Sequence, residues 1–263
     1  MLRAANLNPG FIRRFRTEVN IAYRTDVGKT RMANEDAVLT LVNSDNNIFV
    51  CAVADGMGGH KGGGTASATA LNILRRRLIG LDGKQVGDYI RSLEEIVHDI
   101  NDEILQRAKY DRSLQGMGST ITACIIHKDQ MIVFHIGDSR LYVLHNHELR
   151  QVTKDHSLVQ RLVDEGRLTQ DEAATHPNRN ILLKALGSTE HLTADILEVL
   201  LPPGAKILLC SDGLTTMVDD KQIKEILENN TYEAATDKLI TAANNAGGLD
   251  NITVIICDAG ETM

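Results

Sequence analysis

Val50-Cys51-Ala52-Val53-Ala54-Asp55-Gly56-Met57-Gly58-Gly59-His60 is a continuously apolar run that stops on a carboxylate and a glycine. Such a run reads as a strand buried on both faces. The aspartate directly after it is aimed out of the sheet edge, and Gly56 leaves its carbonyl open as a second oxygen. The device recurs. Asp212-Gly213 follows Ile207-Leu208-Leu209-Cys210-Ser211, and Gly137-Asp138 follows Val133 to Ile136. Asp36 stands just before one strand candidate and Asp250 just before another. For any one of these the alternative is an Asx turn or a helix N-cap. Together they predict carboxylates that converge on one point, a set of hard oxygen ligands suited to Mg²⁺ or Mn²⁺ rather than Zn²⁺. Two such ions ~3.5–4 Å apart can hold a bridging water that becomes a nucleophile near neutral pH. A phosphate monoester is a fitting target.

Two further residues fit that chemistry. Arg31 lies just before Asn34-Glu35-Asp36, and a guanidinium can hold two phosphate oxygens at once; the alternative is a solvated surface arginine. His60 ends the glycine-rich segment and can donate a proton to a departing alkoxide; the alternative is a loop histidine with a structural hydrogen bond. The glycine-rich run does not match GxxxxGK[ST], and GxGxxG is not met in its expected context, so nucleotide binding is disfavoured. No Cys-x5-Arg loop supplies a cysteine nucleophile: six residues beyond Cys210 stands Thr216.

Outward from these motifs, strands are expected at Ile21–Thr25 (an edge), 37–42, 48–54, 120–127, 131–136, 141–145, 205–210 and 252–257. Helices are expected at 65–78, 86–109, 157–165, 219–228 and 232–246. Thr169-Gln170-Asp171-Glu172 matches a capping box opening one more short helix. Consecutive strands with short turns indicate a meander or sandwich rather than strict βαβ alternation. The economical architecture is one α+β domain of two sheets with flanking helices over 21–258. A basic extension (1–20) precedes it, a helical insert sits at about 155–187, and a short tail (259–263) follows.

The 263 residues are 43% hydrophobic, enough for a full core, with a net charge of −7. No basic patch and only 3% aromatics argue against nucleic-acid binding. Cys51, Cys124, Cys210 and Cys257 each stand alone in an apolar run and read as small buried hydrophobes in a reducing compartment, hence a cytoplasmic protein. No run approaches the ~20 apolar residues of a membrane span.

The ordered motifs NED (34–36), VADGMGGH (53–60), GMGST (116–120), HIGDSR (135–140), TKDHS (153–157), CSDGLT (210–215) and GGLDNIT (247–253) resemble the PPM family, the metal-dependent protein serine/threonine phosphatases also called PP2C. The match runs from about Ile21 to Asp258 and looks like the compact bacterial members. The resemblance implies a sandwich of two antiparallel sheets flanked by helix pairs, with a mobile flap at 155–187. It implies Mn²⁺ or Mg²⁺: Asp55 bridging two ions, Gly56 giving its carbonyl to one, Asp212 and Asp250 completing the other. Asp36 would act through metal-bound water, and Asp138 with Asp212 would hold a third, looser ion. Arg31 matches the substrate-phosphate arginine. Animal members carry the proposed acid histidine directly after Asp-Gly, where this chain has Met57, and His60 is its nearest substitute. Phosphorylated proteins are then the substrates, a serine/threonine kinase the antagonist, and a monomer the expected state. The alternatives are a phosphatase dedicated to one partner-switching regulator and a non-catalytic phosphoprotein-binding module.

Overall fold

Hydrophobic alternation builds the molecule as four layers, helix pair on sheet on sheet on helices. The structure, a computed structural model, describes residues 3–4, 20–43, 48–58, 62–79, 86–127 and 129–258. In chain order these hold β1 (Arg3–Ala4), β2 (Ile21–Asp26), β3 (Ala37–Asn43), β4 (Ile48–Ala54), β5 (Gly56–Met57), α1 (Gly62–Ile79) and α2 (Val86–Tyr110). Then come β6 (Gly118–Ser119), β7 (Ile121–His127), β8 (Gln130–Ile136), β9 (Arg140–His145), β10 (Glu148–Gln151), α3 (Leu158–Asp164) and α4 (Gln170–Thr175). The chain closes with β11 (Asp195–Leu200), β12 (Lys206–Cys210), α5 (Asp212–Thr215), α6 (Asp220–Glu228), α7 (Tyr232–Asn245) and β13 (Ile252–Asp258). His60 lies outside the described residues, as do the tail 259–263 and most of the extension.

One sheet has the order β1-β3-β4-β7-β8-β11 and the other β10-β9-β12-β13-β2, with every pairing antiparallel. The period-2 rule sorts β4 cleanly. Phe49, Cys51 and Val53 enter the core between the sheets, while Val50, Ala52 and Ala54 face α1 and α2. On the other sheet, Ile207 and Leu209 face inward and Leu208 and Cys210 pack under α5 to α7. Both central strands are therefore covered on both faces, which is why they read as unbroken apolar runs. All four cysteines are free and buried. Cys51 Sγ meets Cys257 Sγ across the sheets at 3.8 Å.

The sequence reading differs from the structure at the edges. β10 was not expected: it returns from β9 through Asn146 and His147, whose φ values of 47° and 61° make the turn. That handedness suits a tight hairpin, but Asn-His is a weaker signal for it than Asn-Gly. β11 was also not expected, because its residues mix exposed Leu197 and Leu200 with partly buried neighbours and, among the described residues, it pairs only with β8. α1 begins three residues before the expected Thr65, since Gly62 to Gly64 are helical. The extension read as lying outside the fold contributes β1, which lies beside β3. Among the described residues no helix is long and apolar enough to cross a membrane. The insert between β10 and β11 carries α3 and α4, and the capping box at Thr169 and Glu172 is present.

Candidate metal centre

Strand ends and glycine turns bring five carboxyl groups to one end of the sandwich. Asp55 leaves β4 with its backbone stitched to β6 and the turn after it. Its N–H donates to Thr120 Oγ1 (2.9 Å), and its carbonyl accepts from Thr120 N (2.8 Å) and Ser119 Oγ (3.0 Å). Thr120 Oγ1 and Ser139 Oγ share a hydrogen bond of 2.7 Å, so the Asp55 and Asp138 turns are held together. Gly56 pairs with Ser119, and a Cβ there would run into the carbonyls of Gly63 and Glu35. Only glycine fits this approach.

Asp138 follows Gly137, which has φ 112°. His156 fastens that turn twice: its N–H donates to the Gly137 carbonyl (2.7 Å) and its Nδ1 accepts from Gly137 N (3.1 Å). Asp212 opens α5, and Asp250 sits before β13. Asp36 precedes β3 and accepts Ser211 Oγ at Oδ2 (2.8 Å). A cavity of about 460 Å³ is lined by Arg31, Asp55, Gly56, Asp138, Asp212 and Asp250 among others. At its mouth Arg31 Nη2 donates to Asp250 Oδ2 at 2.7 Å. Of the residues singled out from sequence, all but His60 can be placed, and all that can be placed gather here, Asp36 through the Ser211 hydroxyl and its electrostatic coupling to the others. A second cavity of about 550 Å³, between the insert and α5 to α6, shares Asp138 and Asp212.

The electrostatics are those of crowded carboxylates. Burial raises Asp36 to about 7, with Asp212 and Asp250 pushing the same way. Asp55 lies well above the usual carboxylate range through burial, then the charges of Asp36, Asp212, Asp138 and Asp250. Asp138 is held well above that range by burial and Asp212. Asp212 is raised by burial and Asp250, partly offset by a hydrogen bond with Asp55. By exposed area Asp36, Asp55, Asp138 and Asp212 are each only half-buried. Like charges packed this closely disfavour ionisation of these four whatever the solvent at the rim.

Asp36 Oδ1, Asp212 Oδ1 and Glu35 Oε1 are buried and make no hydrogen bond. A buried carboxylate oxygen without a donor is costly and suits a cation ligand. Among the described residues no three acidic, histidine or cysteine side chains close tightly enough to enclose an ion by themselves. Mg²⁺ and Mn²⁺ do not require that. They favour oxygen ligands, and Mg²⁺ keeps several waters and uses one or two carboxylates. The donor set therefore fits hydrated ions of this kind, and its chemistry decides the point over the missing tight cage.

Ser211, Thr120 and His156 were not singled out from sequence, although each lies inside a quoted motif. Ser211 Oγ donates to Asp36 and accepts from Thr253 N (3.0 Å). Ser211→Ala leaves Thr253 N without its acceptor and takes one donor from Asp36, so we expect a stability loss of about 1–3 kcal/mol. It also removes a hydrogen bond that lowers Asp36, so Mn²⁺ uptake should require a higher pH. Denaturant unfolding and Mn²⁺ titration across pH check both.

A family model described as Protein phosphatase 2C matches residues 28–250. The chain is 40% identical over 246 residues to the serine/threonine phosphatase stp of Listeria monocytogenes, covering 92% of this chain and 96% of that protein. The solved serine/threonine phosphatase of S. agalactiae superposes with a TM-score of 0.86 at 34% identity, covering 91% of this chain and 98% of that one. The catalytic domain of the phosphatase PstP, solved in complex with two manganese ions, gives a TM-score of 0.80 at 35% identity, with coverage of 91% and 97%. A match of this extent along sequence and fold means that the chain belongs to the protein phosphatase 2C family.

Proposed function

We propose that this protein removes phosphate from phosphoserine and phosphothreonine in other proteins, opposing a serine/threonine kinase, with Mn²⁺ or Mg²⁺ as cofactor. The observation that carries the reading is the cluster of raised, partly unpartnered carboxyl groups facing one cavity with Arg31 at its mouth. Asp55, the Gly56 carbonyl, Asp212 and Asp250 would hold two ions, with Asp36 acting through water, and Asp138 with Asp212 would hold a third. When bound, the ions supply an activated water for attack on phosphorus and neutralise the phosphate oxygens. The protein's own part is to fix geometry. The Asp55 backbone is locked to Thr120, the Asp138 turn to His156, and Asp36 to Ser211. Arg31 receives the substrate phosphate, exchanging its contact with Asp250 for the phosphate oxygens. The manganese-bound PstP relative supports the choice of ion. Four free, buried cysteines support a reducing, cytoplasmic setting.

The test is phosphate release from a phosphothreonine peptide with Mn²⁺ and then with excess EDTA. We expect release only with the ion. No release in either condition, with tight peptide binding instead, would replace the enzyme reading by that of a phosphoprotein-binding module.

A further inference from the structure

Asn251 belongs to the GGLDNIT motif, yet the ligand set uses only its neighbour Asp250. Its side chain is buried, with the residue 5% exposed. Its Oδ1 accepts the Glu35 N–H (2.8 Å), and its Nδ2 donates to the carbonyls of Val27 (2.9 Å) and Ala33 (2.9 Å). Partner chemistry fixes the amide's orientation, since an N–H needs the oxygen and two carbonyls need the nitrogen. All three bonds reach one loop. Val27 and Ala33 bracket Arg31, and Glu35 precedes Asp36. The same loop is seated on the Asp250 side from below: Lys29 N and Thr30 N both donate to the Gly248 carbonyl (2.7 and 3.2 Å). A Cβ on Gly28, whose φ is 77°, would strike the Asp250 carbonyl.

We propose that Asn251 is the positioning residue that sets the distance from Arg31 to the carboxylates, so that one Asp-Asn pair serves both halves of the site. Asp250 takes the ion side and Asn251 holds the phosphate clamp. Among the twenty side chains, an asparagine-length amide alone offers an acceptor and two donors at this reach. An aspartate keeps the bond from Glu35 and loses both donors; an alanine loses all three. The inference rests on the phosphatase reading and deepens it.

The test is a double-mutant cycle between Asn251→Ala and Arg31→Ala, read as KM and kcat on a phosphothreonine peptide with saturating Mn²⁺. Asn251→Ala should raise KM roughly tenfold and change kcat by less than about threefold. In the Arg31→Ala background it should add less than about twofold, because a residue that acts through Arg31 has nothing left to position. Should Asn251→Ala fail to fold, Asn251→Asp is read by the same criteria. A merely structural asparagine predicts full, multiplicative effects in the Arg31→Ala background, and that result overturns the proposal. So does a fall in kcat at constant KM. An active wild type with either of these outcomes leaves the phosphatase reading standing, whereas an inactive wild type removes both.

Discussion

Asp55→Asn should abolish most turnover while making the metal-free protein harder to melt. With saturating Mn²⁺ we expect a loss of about 10³-fold or more, since on the proposed function Asp55 would help hold the ions that supply several kcal/mol of transition-state stabilisation. Without the ion the sign reverses. Asp55 is pushed well above its ordinary range by burial and by four neighbouring aspartates. A neutral amide removes that repulsion and keeps the backbone bonds to Thr120 and Ser119, which involve no side-chain oxygen of residue 55. Relief of even 1 kcal/mol corresponds to roughly 2–4 °C in a chain of this size. Phosphate release and thermal melting in EDTA are the two measurements. If the Asp55→Asn variant retained most of the activity, Asp55 would be removed from the centre. A lower melting temperature would show that the carboxyl groups are not in mutual repulsion.

The second large effect is on pH and chelation, through Asp36. Its folded value is raised to about 7, while an unfolded aspartate titrates near ~3.9. The folded state therefore binds the extra proton. Its advantage is complete below pH ~4 and is lost as pH rises through about 7, because stability falls with pH wherever the folded state binds more protons. In EDTA, the wild type should lose stability relative to Asp36→Asn between pH ~4 and ~7, by an amount on the order of a few kcal/mol, and the gap should stay level above that. Mn²⁺ replaces the proton as the neutralising charge, so its stabilising effect should be much larger at pH 8 than at pH 5. Melting curves of both variants, with Mn²⁺ and with EDTA, across that range decide it. Parallel curves for wild type and Asp36→Asn would mean that Asp36 ionises freely.

Much of this molecule was legible in short stretches of chain. The run Ile48–Ala54 announced a strand covered on both faces, and it is. The Asp-Gly and Gly-Asp strand ends announced carboxylates aimed off the sheet, and Asp55, Asp138 and Asp212 line one cavity. The Thr169 capping box was readable because its two hydrogen bonds join residues three apart. These signals are local. A period of two, a glycine that permits a tight approach and a side chain that caps its own turn leave their mark within a few residues.

What only the tertiary structure decided is everything whose partner is distant. β2 pairs with β13 in register Ile21 with Cys257, which joins two segments far apart in the chain and carries Arg31's loop onto Asp250. Ser211 serves Asp36 from 175 residues away, and Asn251 reaches Val27 from 224. Edge strands β10 and β11 escaped for a related reason: a half-exposed strand is defined by the neighbour it finds more than by its own pattern. The sequence alone determined the candidate groups, because the residue types and their glycine neighbours are written side by side. The distances among them, and the hydroxyls and amides that hold those distances, depend on buried hydrogen bonds between segments far apart in the chain, and these exist only once the sheets are packed.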